Sequence, residues 1–122
     1  MVITLPSGKQ IDLKEILSFY YDISESEAQI LMYLAKNGQK SAEDITKEIN
    51  NLSLPMVIRT LRRLYERGLV IRTKDASSKP GKPKYVYKTV DRNELKQKII
   101  NDIRQTTDRI VELIEKEFGE TI

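Results

Sequence analysis

One stretch dictates most of what this chain can become: residues 53–88, SLPMVIRTLRRLYERGLVIRTKDASSKPGKPKYVYK, where a helical period gives way to an alternating one and cations crowd both parts. Ser53 has the side chain of an N-cap, whose oxygen accepts from an early helix N–H, and Gly68 suits the position just past a last turn. Roughly four turns of helix are predicted between them. At about 100° per residue, Leu54, Val57, Thr60, Leu61 and Leu64 fall on one side, and Pro55, Met56, Arg59, Arg62, Arg63 and Glu66 on the other. One face is core and the opposite face is a row of guanidiniums.

After Gly68 the residues Leu69 to Thr73 read as a short strand, and Tyr85 to Thr89 as its return. Between them lies a polar segment rich in Pro, Gly and Ser, too poor in apolar groups to pack, which predicts an exposed hairpin tip. From Arg59 to Lys88 there are ten Lys or Arg against two acids, a net of +8, so that a chain of +3 overall carries −5 in its remainder. One basic segment sits on an otherwise acidic protein.

At 122 residues, with 32% charged and 39% hydrophobic residues, the chain suits one core with an appended element. It has no run of eighteen apolar residues and its first residues lack the layout of a signal peptide, so a cytoplasmic protein without a membrane partner is expected. Cysteine and histidine are absent. Thiol nucleophiles, disulfides, imidazole bases and zinc sites of ordinary ligand type are thereby excluded, and no catalytic residue, metal or cofactor is expected.

Upstream, two β-prone runs flank Pro6-Ser7-Gly8, predicting either a small hairpin or a strand that joins the later sheet. Leu13, Ile16, Leu17 and Tyr20 keep helical spacing from Asp12 to about Tyr21, with Phe19, Tyr20 and Tyr21 expected to pack in the core or at the helix end. Ser24 to Glu27 forms a capping-box pattern, in which Glu27 reaches back to the amide of Ser24. The helix it opens stops at Asn37-Gly38. Ser41 to Asp44 gives a second start, followed by a helix of about two and a half turns marked by Ile45 and Ile49. A tight turn then leads to Ser53. A short helix, a tight turn and a longer basic helix make a helix-turn-helix. The acids at Glu25, Glu27, Glu43 and Asp44 are helix-start charges rather than a catalytic pair.

Asp91 to Glu94 caps a last helix running to about Phe118. Ile99, Ile103, Thr106, Ile110 and Leu113 step by 4, 3, 4 and 3, a heptad seam, with Ile100, Val111, Ile114 and Phe118 in an adjoining stripe. So wide an apolar band calls for a partner, most simply the same helix in a second copy. Ile99, Ile103, Ile110, Leu113 and Ile114 are the candidate dimerisation residues.

The order of these elements resembles a winged helix-turn-helix transcription regulator, mainly α with a small β wing. More specifically, residues 53–72, SLPMVIRTLRRLYERGLVIR, look like the passage from recognition helix to wing in the MarR and TrmB groups, where Leu64, Gly68, Leu69-Val70 and Arg72 have counterparts. In size and in its C-terminal helix the chain is similar to small archaeal regulators of the Lrs kind. The resemblance covers residues 24–90 and extends to 91–118 in layout. It implies a winged helix-turn-helix DNA-binding domain over 1–90 and a dimerisation helix over 91–122. It also implies a recognition helix in the major groove and a wing against the backbone or minor groove. No effector-binding domain of the larger TrmB type is recognisable, so the effector is unassigned.

Duplex binding needs several cations on one face, and base selection needs donors or apolar groups that reach the major-groove edges. Arg59 projects outward in the first half of the helix and is the expected guanine contact. Ser53 lies at the same end, and Pro55 and Met56 are placed to touch thymine methyls. Arg62 and Arg63 are expected to grip phosphate, as are Arg72 and Lys74 at the base of the wing and Lys79, Lys82 and Lys84 in it. The expected function is a homodimeric, sequence-specific regulator acting on promoters by occupancy, with half-sites about 10 bp apart in a pseudo-palindrome. The alternative is an architectural or protein-binding winged helix with little sequence preference.

Overall fold

In the computed structural model, which describes residues 1–77, 79–81 and 83–119, every described helix opens on a side chain that caps it. Asp12 precedes α1 (Leu13–Tyr21), Ser24 precedes α2 (Glu25–Asn37), and Ser41 precedes α3 (Ala42–Glu48). Ser53 precedes α4 (Leu54–Glu66) and Asp91 precedes α5 (Arg92–Phe118). The capping oxygens accept from backbone N–H groups two or three residues on, at 2.9–3.3 Å. They satisfy donors that the helices cannot bond internally.

The reciprocal capping box forms at α1 and not at α2. The Asp12 N–H donates to Glu15 Oε1 at 3.4 Å while the Glu15 N–H donates to Asp12 Oδ1 at 3.0 Å. At α2 the Glu27 N–H donates to Ser24 Oγ at 3.1 Å, but the Glu27 carboxylate does not return to Ser24. It is drawn to a stronger partner across the core.

Residues Met1–Val90 and Asp91–Ile122 form two compact units. Within the first, β1 (Ile3–Thr4) and β2 (Gln10–Ile11) make a hairpin of their own, closed by a turn in which the Gly8 N–H donates to the Leu5 carbonyl at 2.8 Å. The other sheet is antiparallel and contains β3 (Lys40–Ser41), β4 (Val70–Lys74) and β5 (Tyr85–Thr89) in the order β3-β5-β4. Its third strand is thus Lys40-Ser41, two residues too short to show an alternating pattern in the sequence. Ser41 serves twice, pairing with Val86 and capping α3.

Packed against that sheet, α1 to α4 enclose Leu17, Ile30, Leu31, Leu34, Ile45, Val57, Leu61 and Leu64, all with no more than 1% of their surface exposed. Phe19 departs from its expected place: it is 84% exposed, because at about 100° per residue it lies some 200° around α1 from the buried Leu17. Tyr33 of α2 donates to the carboxylate of Glu48 at the end of α3, and Lys40 joins them, its Nζ 3.7 Å from Glu48 Oε1. Partial burial, followed by the bond and charge of Glu48 and the charge of Asp44, pushes the Tyr33 phenol up to about 12.

The second unit is built on α5, 27 residues long. In its second half Ile110, Val111, Leu113, Ile114 and Phe118 are exposed. No helix among the described residues is long and apolar enough to cross a membrane.

The junction of α4 and β4 depends on one backbone angle. Gly68 has φ 74°, which lets its N–H donate to the Tyr65 carbonyl and the next N–H, of Leu69, reach back to the Leu64 carbonyl, both at 3.0 Å. Leu64 and Leu69 are both buried, so the chain turns from helix into strand without leaving the core. A Cβ at Gly68 would meet nothing within 4 Å, so Gly68→Ala is expected to cost only the left-handed backbone penalty, about 1 kcal/mol, seen as a lowered urea midpoint at unchanged m-value.

Candidate nucleic-acid interface

Val57, Thr60, Leu61 and Leu64 are buried and fix which way α4 faces. The centre of the opposite side is then Pro55, Arg59, Arg62 and Glu66, with Arg63 and Arg67 toward one flank and Ile58 and Tyr65 toward the other. This division decides what each cation can do.

On the first flank the arginines are engaged inside the chain. Arg63 Nη1 donates to Glu27 Oε1 at 3.2 Å, and the Glu27 side chain is only 3% exposed. Glu27 Oε2 is buried as well and has no hydrogen-bond partner among the described residues, so Arg63 is its charge-balancing group. Arg67 Nη1 donates to the Tyr21 carbonyl at 2.7 Å, at the C-terminal end of α1 where the helix dipole favours a cation. Arg63, expected as a phosphate grip, links α4 to α2 through this pair while 60% of its side chain stays exposed. The same contact explains why the capping box at Ser24 stays half made.

On the other flank Tyr65 faces the wing. Arg72 of β4 places its guanidinium carbon 4.1 Å from the centroid of the Tyr65 ring and 4.4 Å from that of Tyr85. The residue expected as a phosphate contact at the wing base is stacked between two aromatic rings.

Arg59 and Arg62 remain exposed in the central row, and Lys74, Lys79 and Lys88 are exposed on the hairpin. None of these five forms an ion pair with another described residue. Lys84 is exposed too, beside the loop closure in which the Asp75 N–H donates to the Lys84 carbonyl at 2.8 Å. Asp75 Oδ1 accepts from the Ser77 N–H at 3.0 Å and the Ser77 hydroxyl at 2.9 Å. Those bonds, with a smaller contribution from Lys84, hold the Asp75 carboxyl below its usual range. The acid at the root of the tip is thus occupied by its own loop. Lys82 lies outside the described residues.

Ser53 uses its oxygen to cap α4, accepting from the Met56 N–H at 3.3 Å; Pro55 is exposed and Met56 half-buried. Among the candidate dimerisation residues, Ile99 and Ile103 are half-buried, while Ile110, Leu113 and Ile114 are exposed. Sequence reasoning passed over Ile58, 40% exposed on α4 beside Pro55 and Arg62. An apolar residue outside the buried stripe and one turn from Arg62 was the available signal.

Two packed helices joined by a tight turn, with a β hairpin following the second, define a winged helix-turn-helix protein. Residues 17–93 match the family model described as "Sugar-specific transcriptional regulator TrmB", and the chain belongs to that family of transcription regulators. Sequence comparison with curated proteins finds no match. Among solved structures, a possible transcriptional regulator from Methanosarcina mazei Go1 superposes with a TM-score of 0.74 at 14% identity, over 95% of this chain and 96% of that one. The ST1889 protein from Sulfolobus tokodaii gives 0.63 at 25% identity, over 83% and 93%. TrmBL2, described as an archaeal chromatin protein with a novel mode of DNA binding, gives 0.56 at 20% identity, over 86% of this chain and 38% of that one. Family and fold are those of regulators, not of enzymes.

Removing Arg63 strands a buried carboxylate, whereas removing Arg59 or Arg62 strands nothing. Since the Arg63 side chain is 60% exposed and solvent screens part of the pair, Arg63→Ala should cost about 1–2 kcal/mol in urea unfolding, the lower part of the range for an unsatisfied buried group. Arg59→Ala and Arg62→Ala should stay within about 0.5 kcal/mol of wild type.

Proposed function

We propose that the chain is a homodimeric regulator that reads duplex DNA in a sequence-specific way and acts on promoters by occupying them. The observation that carries this reading is the division of labour on α4. Its central outward row, Arg59 and Arg62, is exposed and unpaired among the described residues, and it stands on the same basic segment as a lysine-bearing hairpin. A recognition helix in the major groove needs such a row. Arg59 is assigned to a guanine edge, where its fork can meet O6 and N7 together, and Pro55, Met56 and Ile58 to thymine methyls. Arg62, Lys74, Lys79, Lys82 and Lys84 are assigned to phosphate, where they position the protein without selecting sequence.

The dimer rests on α5. Ile110 and Leu113 are exposed along a heptad seam that also holds Ile99 and Ile103, Ile114 is exposed in the adjoining stripe, and a second copy of the helix would cover them. Two recognition helices related by a two-fold would favour a pseudo-palindromic site with half-sites about 10 bp apart. The likeness to a chromatin protein favours a second reading, in which the same surface coats DNA with little regard to sequence.

Footprinting on the DNA neighbouring the protein's own gene, at two salt concentrations and with mass measured in solution, separates these readings. A protected pseudo-palindrome bound by a dimer supports the regulator, and affinity that follows salt but ignores sequence supports the coat. Arg59→Ala should relax discrimination at one base pair per half-site and cost about 1–3 kcal/mol there, whereas Arg62→Ala should weaken all sequences alike and lower the salt slope by about 1 per half-site. An Ile110→Glu, Ile114→Glu double substitution should yield a monomer by light scattering and abolish the two-half-site footprint.

A further inference from the structure

We propose that Arg72 is a positioning residue that locks the wing onto the end of α4, and that it does not itself grip phosphate. The second half of this statement rests on the DNA-binding reading above; the first half does not.

Three elements converge on this side chain. In the β4–β5 ladder Arg72 stands directly opposite Tyr87, so the two share a face of the sheet, and Tyr85, two residues earlier, lies on the same face within diagonal reach. Tyr65 arrives from the last turn of α4. The guanidinium carbon lies 4.1 Å from the Tyr65 ring centroid and 4.4 Å from the Tyr85 ring centroid. The cation is therefore held close to two aromatic rings, one on α4 and one on β5. A phosphate contact would have to draw the side chain toward the duplex and away from these rings.

The chemistry also explains why this residue is arginine. A planar guanidinium stacks on two rings at once, whereas an ammonium is a strongly hydrated point charge on a flexible stem. The link between α4 and β4 is only Arg67-Gly68-Leu69, so backbone alone sets the angle of the wing poorly. Tyr85 is the first residue of β5 after the tip, and Lys74, at the other root of the tip, pairs with it. Fixing Arg72 between Tyr65 and Tyr85 thus fixes where the tip leaves the sheet, and with it the direction in which Lys79 and Lys84 are carried.

Hydrogen exchange on the free protein tests the lock, with the amides of Leu31 and Leu61 as an internal reference for the core. In Arg72→Lys the amides of Thr73 to Asp75 and Tyr85 to Tyr87 should exchange at least about fivefold faster while the reference amides hold, in line with the loss of two stacked contacts. Tyr65→Leu should give the same change without altering the number of cations. For DNA, Arg72→Lys should raise Kd about three- to tenfold and leave the slope of log Kd against log salt at its wild-type value. The double variant should be no worse than either single one. Wing amides in Arg72→Lys as protected as in wild type would overturn the lock. A salt slope lowered by about 1 per bound wing in Arg72→Ala would overturn the exclusion from phosphate. A wild-type chain that holds no duplex would instead overturn the regulator reading, and the exchange data would still decide the lock.

Discussion

The buried carboxylate of Glu27 is the constraint from which the arrangement of α4 follows. A carboxylate with 3% exposure needs a cation, and the one it has comes from the flank of the helix that carries the outward arginines. An ion pair of this kind adds little net stability over an apolar pair of the same shape, but any packing that separates the partners leaves a charge in the core. It therefore acts on geometry more than on total stability: it favours the one rotation of α4 that lets Arg63 reach α2. In that rotation Arg67 also reaches the end of α1, and Tyr65 faces the wing.

Seen this way, the +8 of residues 59–88 is two populations of charge. Arg63, Arg67 and Arg72 are spent on holding the basic segment to the rest of the unit, each by a contact suited to a planar fork: a carboxylate, a carbonyl at a helix end, and a pair of aromatic rings. Lys74, Lys79, Lys84 and Lys88, whose ammonium groups gain less from such fixed contacts, are exposed on the hairpin together with its Gly and Pro residues. Structural cations are arginine here, and the outward ones are of both kinds.

Much of this fold could be read from local signals, because caps and turns act within three or four residues. Ser24, Ser41, Ser53 and Asp91 start helices where their oxygens can meet early N–H groups, and Gly68 ends one where a positive φ is needed. Helical periodicity likewise separates the buried Val57, Leu61 and Leu64 from Arg59 and Arg62. It cannot say what a flank residue touches. The partner of Arg63 lies 36 positions away and that of Arg67 lies 46 away, and whether they come within reach depends on how α1, α2 and α4 pack. Lys40-Ser41 escaped notice for a related reason: a two-residue strand is created by its neighbour β5 and has no pattern of its own. Phe19 shows the opposite error, in which an aromatic residue is assigned to the core on type although its helical phase turns it to solvent.

Fold likeness at 14% identity over nearly the whole chain means that the architecture tolerates wide change in residue identity. What distinguishes one such protein from another then lies in the exposed rows, which packing leaves free to vary. For this chain the rows are short: Pro55, Ile58, Arg59 and Arg62 on α4 and a handful of wing cations. If these are the DNA contacts proposed above, a single winged unit would have modest affinity, because each phosphate neutralised contributes only a salt-dependent increment and each well-formed base contact about 1–3 kcal/mol. In the proposed dimer, joining two units through α5 would make the second contact set intramolecular, raising affinity without a new contact and making it depend on half-site spacing as well as on base identity. The apolar seam of α5 would then be as much a part of DNA selection as the arginines, since it fixes the distance over which two weak readings are added.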